Sequence, residues 1–311
     1  MKKQCILKKS QTNECRKILN KNFLILSGLC LLQIILALIG QIFGWVDHKE
    51  FFGITYNIFC IVSICIIYKL NKEYVIDTPT ESKQMTTKTF FECFTILVAT
   101  IFLFTIPVVI FDMILSKFDL TLINVAGANV LSDGIAQFIY AAFLGPICEE
   151  VIFRGMIQKS LSKFSPVFAI LISAISFGIY HGNFSQMFSM FGAGLVLGYV
   201  AYKFSIKWSI IIHIIYNSII GELFAIITEV LKKGDEDYLL PIINQTPFMT
   251  VMLILSIIGM TFMTIRFFKG KVPFQNYSIK FKKTLILFTS IPFIVFLIYN
   301  LGTSLLLIEK I

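Results

Sequence analysis

Residues 145–155 read GPICEEVIFRG and place Glu149, Glu150 and Arg154 inside a long apolar run. A charge at the centre of a membrane helix costs about 2.5–3.5 kcal/mol on insertion scales, so each of these side chains needs a reason to be there. Glu150 and Arg154 are four residues apart and can pair on one helical face. Glu149 points about 100° away, which leaves it free to act as a base. The purely structural alternative is a buried ion pair beside a carboxylate at the lipid edge.

The rest of the chain is apolar enough to exclude most classes of protein. Its 311 residues are 57% hydrophobic and 14% charged, whereas soluble proteins average about 45–50% apolar and about 25% charged residues. A soluble domain, a disordered chain and a disulfide scaffold are therefore excluded. Nine apolar runs of about 18 residues or more predict transmembrane helices, at 23–45, 51–68, 90–111, 134–153, 165–181, 186–202, 208–229, 247–265 and 284–308. The predicted fold class is an all-α, polytopic membrane helical bundle.

The distribution of basic residues predicts the orientation of this bundle. With the N-terminus inside, the outer segments keep only five of the 27 Lys and Arg residues, namely Lys49, Lys117, Lys232, Lys233 and Lys310. This asymmetry favours an inner N-terminus and an outer C-terminus. The net charge of +9 is then a topology signal that suits an anionic lipid bilayer, and nucleic acid is not an expected partner. The Lys-, Ile- and Asn-rich composition is associated with bacteria, so we expect a bacterial cell membrane.

The predicted organisation has three parts. Residues 1–133 form an N-terminal cytoplasmic arm and three transmembrane helices, 134–229 a catalytic core, and 230–311 two C-terminal transmembrane helices. The seven cysteines are odd in number and include no CxxC, which argues against a disulfide framework or a four-cysteine metal site.

Two further motifs lie in the predicted core. Phe177-Gly-Ile-Tyr-His181 and His213-Ile-Ile-Tyr-Asn217 each set two side chains four residues apart on one helical face. Each motif alone is more typical of a structural histidine or of a polar contact between helices. Taken together with the paired glutamates, the three helices supply a base for water and hydrogen-bond donors for an oxyanion in a dry cavity.

The order EExxxR, FxxxH, HxxxN resembles the CPBP family of intramembrane proteases. This family includes the Rce-type CAAX prenyl endopeptidases and the bacterial Abi proteins, some of which are linked to bacteriocin immunity. The resemblance covers about 134–222 and implies hydrolysis of a peptide bond within the membrane, without a covalent intermediate. The site residues that it implies are Glu149, Glu150, Arg154, His181, His213 and Asn217.

The resemblance also implies a role for each of these residues. Glu149 would activate water with the help of His181, and Glu150, held by Arg154, would support the site. The two residues of the HxxxN motif would stabilise the oxyanion. The expected substrate is a hydrophobic peptide or a membrane protein.

The requirement for a metal is left open by the sequence. Glu149, His181 and His213 form a chemically reasonable zinc set with one open position, although their spacing is not the HExxH of metalloproteases. Both metal-bound water and glutamate-activated water agree with the residues present.

Three other functions agree with parts of the pattern. An ion-coupled transporter would use the same buried charges as a relay. A non-catalytic membrane protein of the bacteriocin-immunity type would bind a peptide without cutting it. A cysteine protease would use Cys148, but a thiol in an apolar helix is usually inert packing.

One distance disagrees with a common site. Glu149 lies about four residues from the predicted inner end of its span, whereas His181 lies about sixteen residues from the inner end of its own. At about 1.5 Å per residue, His181 would lie roughly 15–18 Å too far out. A tilted fifth span, a dip in residues 154–165 or wrong boundaries would each remove the discrepancy.

Overall fold

The computed structural model describes residues 2–44, 49–75, 83–122, 134–221, 257–259, 261–262, 265 and 290–310. These ranges contain helices α1 (Lys2–Ile42), α2 (Lys49–Val75), α3 (Thr87–Leu115), α4 (Ile135–Ser162), α5 (Pro166–Tyr180), α6 (Phe184–Lys203), α7 (Ile206–Ile215, continued by the π-helical turn Tyr216–Gly221) and α8 (Ile291–Leu306). A 3-10 turn (Ser116–Phe118) follows α3, and two short strands, β1 (Leu120–Leu122) and β2 (Ile308–Lys310), complete the fold.

The protein is a helical membrane protein. In the described part of the chain, α1 to α4 and α6 each contain a stretch long and apolar enough to cross a membrane, and α5, α7 and α8 are shorter apolar helices. Many large apolar side chains point outward, for example Leu24, Ile58 and Ile298, as expected for a surface that meets lipid. The predicted span 247–265 lies mostly outside the described residues.

The predicted all-α fold class is confirmed, and the two short strands are a small addition to it. Leu120 pairs with Lys310 in an antiparallel register. The Asp112 carboxylate, at the end of α3, accepts hydrogen bonds from the Thr121 hydroxyl (3.1 Å) and the Leu122 N–H (2.8 Å), which holds β1 extended. The end of α3 and the end of the chain therefore lie on the same side of the bundle.

Helix α4 extends further than the predicted span 134–153, and this removes the discrepancy in depth. It continues to Ser162 because Arg154 and Gln158 are buried by neighbouring helices rather than exposed to lipid or solvent. Glu149 thus lies about 20 Å from the C-terminal end of α4, and His181 about 22 Å from the start of α5. The predicted boundary, rather than the common site, was wrong.

Helices α5 and α6 pack closely through glycine. A Cβ built at Gly178 would lie 2.5 Å from the Met187 carbonyl oxygen, and one at Gly194 would lie 2.7 Å from the Cα of Ala174. Both glycines begin a GxxxG spacing, with Gly182 and Gly198 respectively, and such spacings are typical of close packing between membrane helices. Gly182 differs, because its φ of +62° places it in the turn between α5 and α6.

The N-terminal end of α4 is held by α2. The Glu50 carboxylate accepts hydrogen bonds from the backbone N–H groups of Ile135 (2.9 Å) and Ala136 (3.1 Å), which are among the unpaired donors of the first turn of α4. Asn57 donates to the Ala136 carbonyl oxygen at 2.9 Å. Two side chains of α2 therefore fix where the helix that carries the glutamates begins.

Candidate active site

Glu150 lies at the centre of a buried polar cluster. Its side chain is fully buried, and Oε1 lies 3.1 Å from Nη1 of Arg154 and 3.0 Å from Nδ1 of His213. Oε2 accepts a hydrogen bond from the Ser209 hydroxyl. The spacing predicted the ion pair with Arg154, which the structure contains, and the carboxylate also binds two side chains of α7.

Arg154 forms an ion pair with Glu150 and stacks on an aromatic ring. Its guanidinium carbon lies 4.4 Å from the centroid of the Phe177 ring, a cation–π contact. Within the described residues, its nitrogens form no hydrogen bond of acceptable geometry, although Nη1 is within ion-pair distance of Glu150. The pair is therefore a contact of charges rather than a two-pronged hydrogen bond.

Glu149 has different surroundings from Glu150. Its side chain is 20% exposed, and Oε2 lies 3.6 Å from Nε2 of His213, just beyond hydrogen-bond distance. The two carboxylates diverge as the helical phase predicts. Glu149 thus keeps oxygen atoms that a water molecule can reach.

His213 lies between the two glutamates, and its contact with Glu150 determines which ring nitrogen carries a hydrogen. Because Glu150 has a guanidinium and a hydroxyl as its other partners, it is ionised and accepts at Nδ1, so Nδ1 carries a hydrogen. The neutral ring then presents a lone pair at Nε2 toward Glu149. His213 can donate to an oxyanion from Nε2 only when the ring carries a second proton.

His181 follows the last residue of α5 and is also oriented by its Nδ1. This nitrogen lies 2.8 Å from the Phe177 carbonyl oxygen, which can only accept, so Nδ1 carries the hydrogen. In the neutral ring Nε2 is left as an acceptor. The ring is close enough to Glu149 and His213 for their charges to act on it.

Asn217 is fixed by a carbonyl group that α4 leaves unused. Gly145 donates its N–H to Tyr140, in a π-helical bond, instead of to Ala141. The next nitrogen along the chain belongs to Pro146, which has no hydrogen. The Ala141 carbonyl oxygen instead accepts from Nδ2 of Asn217 at 3.0 Å. An amide has two N–H groups, and the second has no hydrogen-bond partner within the part of the chain that the structure describes.

Phe177 joins the three motifs. Its ring centroid lies 5.0 Å from that of His181 and 5.8 Å from that of His213, and the Arg154 guanidinium covers its face. The structure therefore brings one residue of each motif, Arg154, His181 and His213, together at the Phe177 ring.

Ser209 is the contact that the sequence analysis missed. It precedes His213 by four residues, as His213 precedes Asn217, so the three side chains follow one face of α7. A polar stripe at this spacing on an apolar helix was the available signal. This signal was overlooked because buried serine is common in membrane helices.

The possible zinc set does not come together. Among the residues that the structure describes, no three His, Cys, Asp or Glu side chains are grouped so that they could hold a metal ion. Glu149 and His213 are neighbours, but His181 does not complete the set.

A comparison with known families agrees with the motifs. Residues 131–219 match the family model described as Rce1-like, type II CAAX prenyl endopeptidase Rce1-like. The predicted resemblance to the CPBP and CAAX protease family is confirmed over this segment, which contains all six predicted site residues. No curated protein matches the chain, and no solved structure matches it. The matched model describes CAAX prenyl endopeptidases, and the match gives no support to the transporter or to the non-catalytic binding protein.

Proposed function

We propose that this protein is an intramembrane endopeptidase that uses glutamate-activated water to hydrolyse a peptide bond in a hydrophobic or membrane-anchored substrate. The main support is the pair of neighbouring carboxylates with opposite surroundings. Glu150 is buried and bound, while Glu149 is partly exposed and lies 3.6 Å from an imidazole nitrogen that Glu150 orients.

The proposed reaction begins with a water molecule between Glu149 and Nε2 of His181. Glu149 takes one proton as the water oxygen bonds to the carbonyl carbon, and the carbonyl electron pair moves to oxygen. Glu149 passes this proton to Nε2 of His213, and the resulting oxyanion accepts hydrogen bonds from the free amide hydrogen of Asn217 and from the now doubly protonated His213. Collapse of the tetrahedral intermediate breaks the C–N bond, and the proton returns from His213 through Glu149 to the leaving nitrogen. The products are a carboxylic acid and an amine.

The buried surroundings of Glu150 support this scheme. The Glu150 carboxylate, bound by Arg154 and Ser209, accepts the hydrogen of Nδ1 of His213. The same carboxylate holds Nε2 toward Glu149. Donors that are fixed before the reaction need no reorganisation when the negative charge develops.

The test is cleavage by the purified protein in lipid nanodiscs. Two sets of internally quenched peptides serve as probes: peptides ending in prenyl-Cys-a-a-X, and unmodified apolar peptides. Wild-type protein is expected to cleave at least one probe, and Glu149→Gln is expected to cleave none while folding normally. Cys148→Ala, at a buried thiol, is the matched control and is expected to retain full activity. Cleavage by Glu149→Gln at the wild-type rate would refute the proposal.

A chelator separates the two ways of activating water. Glutamate-activated water predicts no change in rate with a chelator. Activity that is lost and then restored by zinc would favour a metalloprotease instead.

We also propose nine spans with the N-terminus inside and the C-terminus outside, in a bacterial cell membrane. The charge asymmetry supports this orientation, and the pairing of β1 with β2 requires an even number of crossings between them, as the nine-span scheme has. A cysteine introduced at Lys117 is expected to react with an impermeant reagent in intact cells, and one introduced at Lys88 is not. The reverse pattern would overturn the orientation.

A further inference from the structure

The Ser209 hydroxyl lies in a fully buried position between helices. Two acceptors are within reach of its single proton: Oε2 of Glu150 and the Leu197 carbonyl oxygen, at 3.1 Å. A hydrogen bond to a carboxylate is shorter and stronger than one to a neutral carbonyl group. The Ser209 hydroxyl therefore donates its hydrogen to Glu150.

This bond fixes the rotation of the Glu150 carboxylate. The other oxygen, Oε1, is shared by Arg154 and His213. Arg154 adds charge but no hydrogen bond of acceptable geometry, so it constrains the rotation weakly. The terminal torsion of a glutamate is broad. Ser209 supplies the hydrogen bond at Oε2 that keeps Oε1 directed at Nδ1 of His213.

We propose that Ser209 is a positioning residue, which acts through Glu150 to keep the hydrogen of His213 on Nδ1 and the Nε2 atom directed at Glu149. The catalytic consequence rests on the proposed function, whereas the effect on His213 does not. Without the hydroxyl, the carboxylate turns and Oε1 no longer holds Nδ1. The His213 ring then populates both tautomers.

The first test measures the tautomer directly. The chain has three histidines, so 15N-histidine labelling in lipid gives three rings to distinguish, and His213 is identified by its loss in His213→Asn. Wild-type His213 is expected to carry its hydrogen on Nδ1. Ser209→Ala is expected to show a mixture of tautomers, and Ser209→Thr, which keeps the hydroxyl, to restore the wild-type spectrum.

Ser173→Ala is the matched control. Ser173 is equally buried and donates across helices to the Phe153 carbonyl oxygen at 2.9 Å, but it does not touch a carboxylate. Its removal is expected to leave the His213 signals unchanged. Identical His213 signals in Ser209→Ala and wild type would overturn the proposal.

The second test uses whichever quenched peptide the wild type cleaves. Ser209→Ala is expected to lower kcat by about 10- to 100-fold, the usual value of a hydrogen bond to a charged group, with KM unchanged. Ser209→Thr should recover most of the rate. In a Glu150→Gln background, Ser209→Ala should not lower kcat any further, because Ser209 acts through Glu150.

The two tests separate the possible failures. A tautomer shift in a protein that cleaves neither probe supports the positioning role and counts against the protease. Cleavage at the wild-type kcat by Ser209→Ala would overturn the catalytic consequence of the proposal.

Discussion

The candidate site has two halves, which differ in how completely the protein encloses a carboxylate. On the Glu150 side, the carboxylate is fully buried and all of its contacts are with the protein. On the Glu149 side, the carboxylate is 20% exposed and its neighbouring nitrogen is just out of hydrogen-bond range. The two residues are chemically identical and adjacent in sequence. Their difference comes from about 100° of helical phase, which directs one toward α7 and the other toward the cavity.

The largest expected effect comes from removing charge from each half in turn. Glu149→Gln is expected to lower kcat by about 10²–10⁴-fold, since it loses the proton acceptor, with an unchanged melting temperature. Glu150→Gln is expected to lower the melting temperature, because it leaves Arg154 buried without its counter-charge. Peptide cleavage and thermal unfolding in detergent measure the two effects. An equal loss of stability in both variants would contradict the claim that only Glu150 is enclosed by the protein.

The second effect concerns the enclosed half alone. Arg154→Ala is expected to lower the free energy of unfolding by about 3–5 kcal/mol, because the buried Glu150 charge loses its partner. Arg154→Lys should restore part of this loss, since it keeps the charge but not the planar group on the Phe177 ring. Denaturant unfolding in detergent compares the three proteins. An Ala variant as stable as wild type would show that the pair is not enclosed.

The third effect lies at the open half. Asn217→Ala is expected to slow cleavage by about 10²–10³-fold through loss of an oxyanion donor. Ser218→Ala is the control, since the Ser218 hydroxyl donates to the Ile214 carbonyl oxygen of its own helix and should not affect the rate. Steady-state kinetics distinguish the two. If both variants lose activity equally, the loss reflects damage to α7 rather than to the site.

The smallest effect is expected away from both halves. Glu50→Gln weakens the hydrogen bonds that α2 makes to the first turn of α4, and should cost about 1 kcal/mol of unfolding free energy, the usual value of a helix cap. Cleavage should remain within about twofold of wild type at this cost in stability. A loss of activity as large as that of Asn217→Ala would mean that the open half depends on the start of α4.

The sequence predicts those features of the site that depend on local geometry. The spacing of four residues was sufficient to predict the Glu150–Arg154 pair. The helical phase was sufficient to predict that Glu149 points away from Glu150. The C-terminal end of α4 was missed because Arg154 and Gln158 look like residues at a membrane surface. They are buried by helices that follow later in the chain, which periodicity does not reveal.

Features that depend on long-range contacts were also missed. The pairing of Leu120 with Lys310 joins segments far apart in sequence, each too short to stand out. The contact of Ser209 with Glu150 requires knowing which face of α7 meets α4. The bond from Asn217 to Ala141 depends on a π-helical turn ahead of Pro146, which displaces a hydrogen bond by one residue.

The π-helical stretch Val151–Gln158 makes α4 tolerant of a change in length during evolution. A bond from residue i to i+5 accommodates one more residue than an α-helical turn, so a single-codon deletion there can restore α-helical pairing without breaking the helix. The wider turn holds the extra residue without the rotation of about 100° that an insertion into an α-helix causes, so its removal leaves the two ends of α4 nearly in phase. Gln158 then still faces the Gly198 carbonyl oxygen, and Ser160 still faces Asn22. A homologue that lacks one residue in this stretch can therefore keep both glutamates and the contacts at the C-terminal end of the helix.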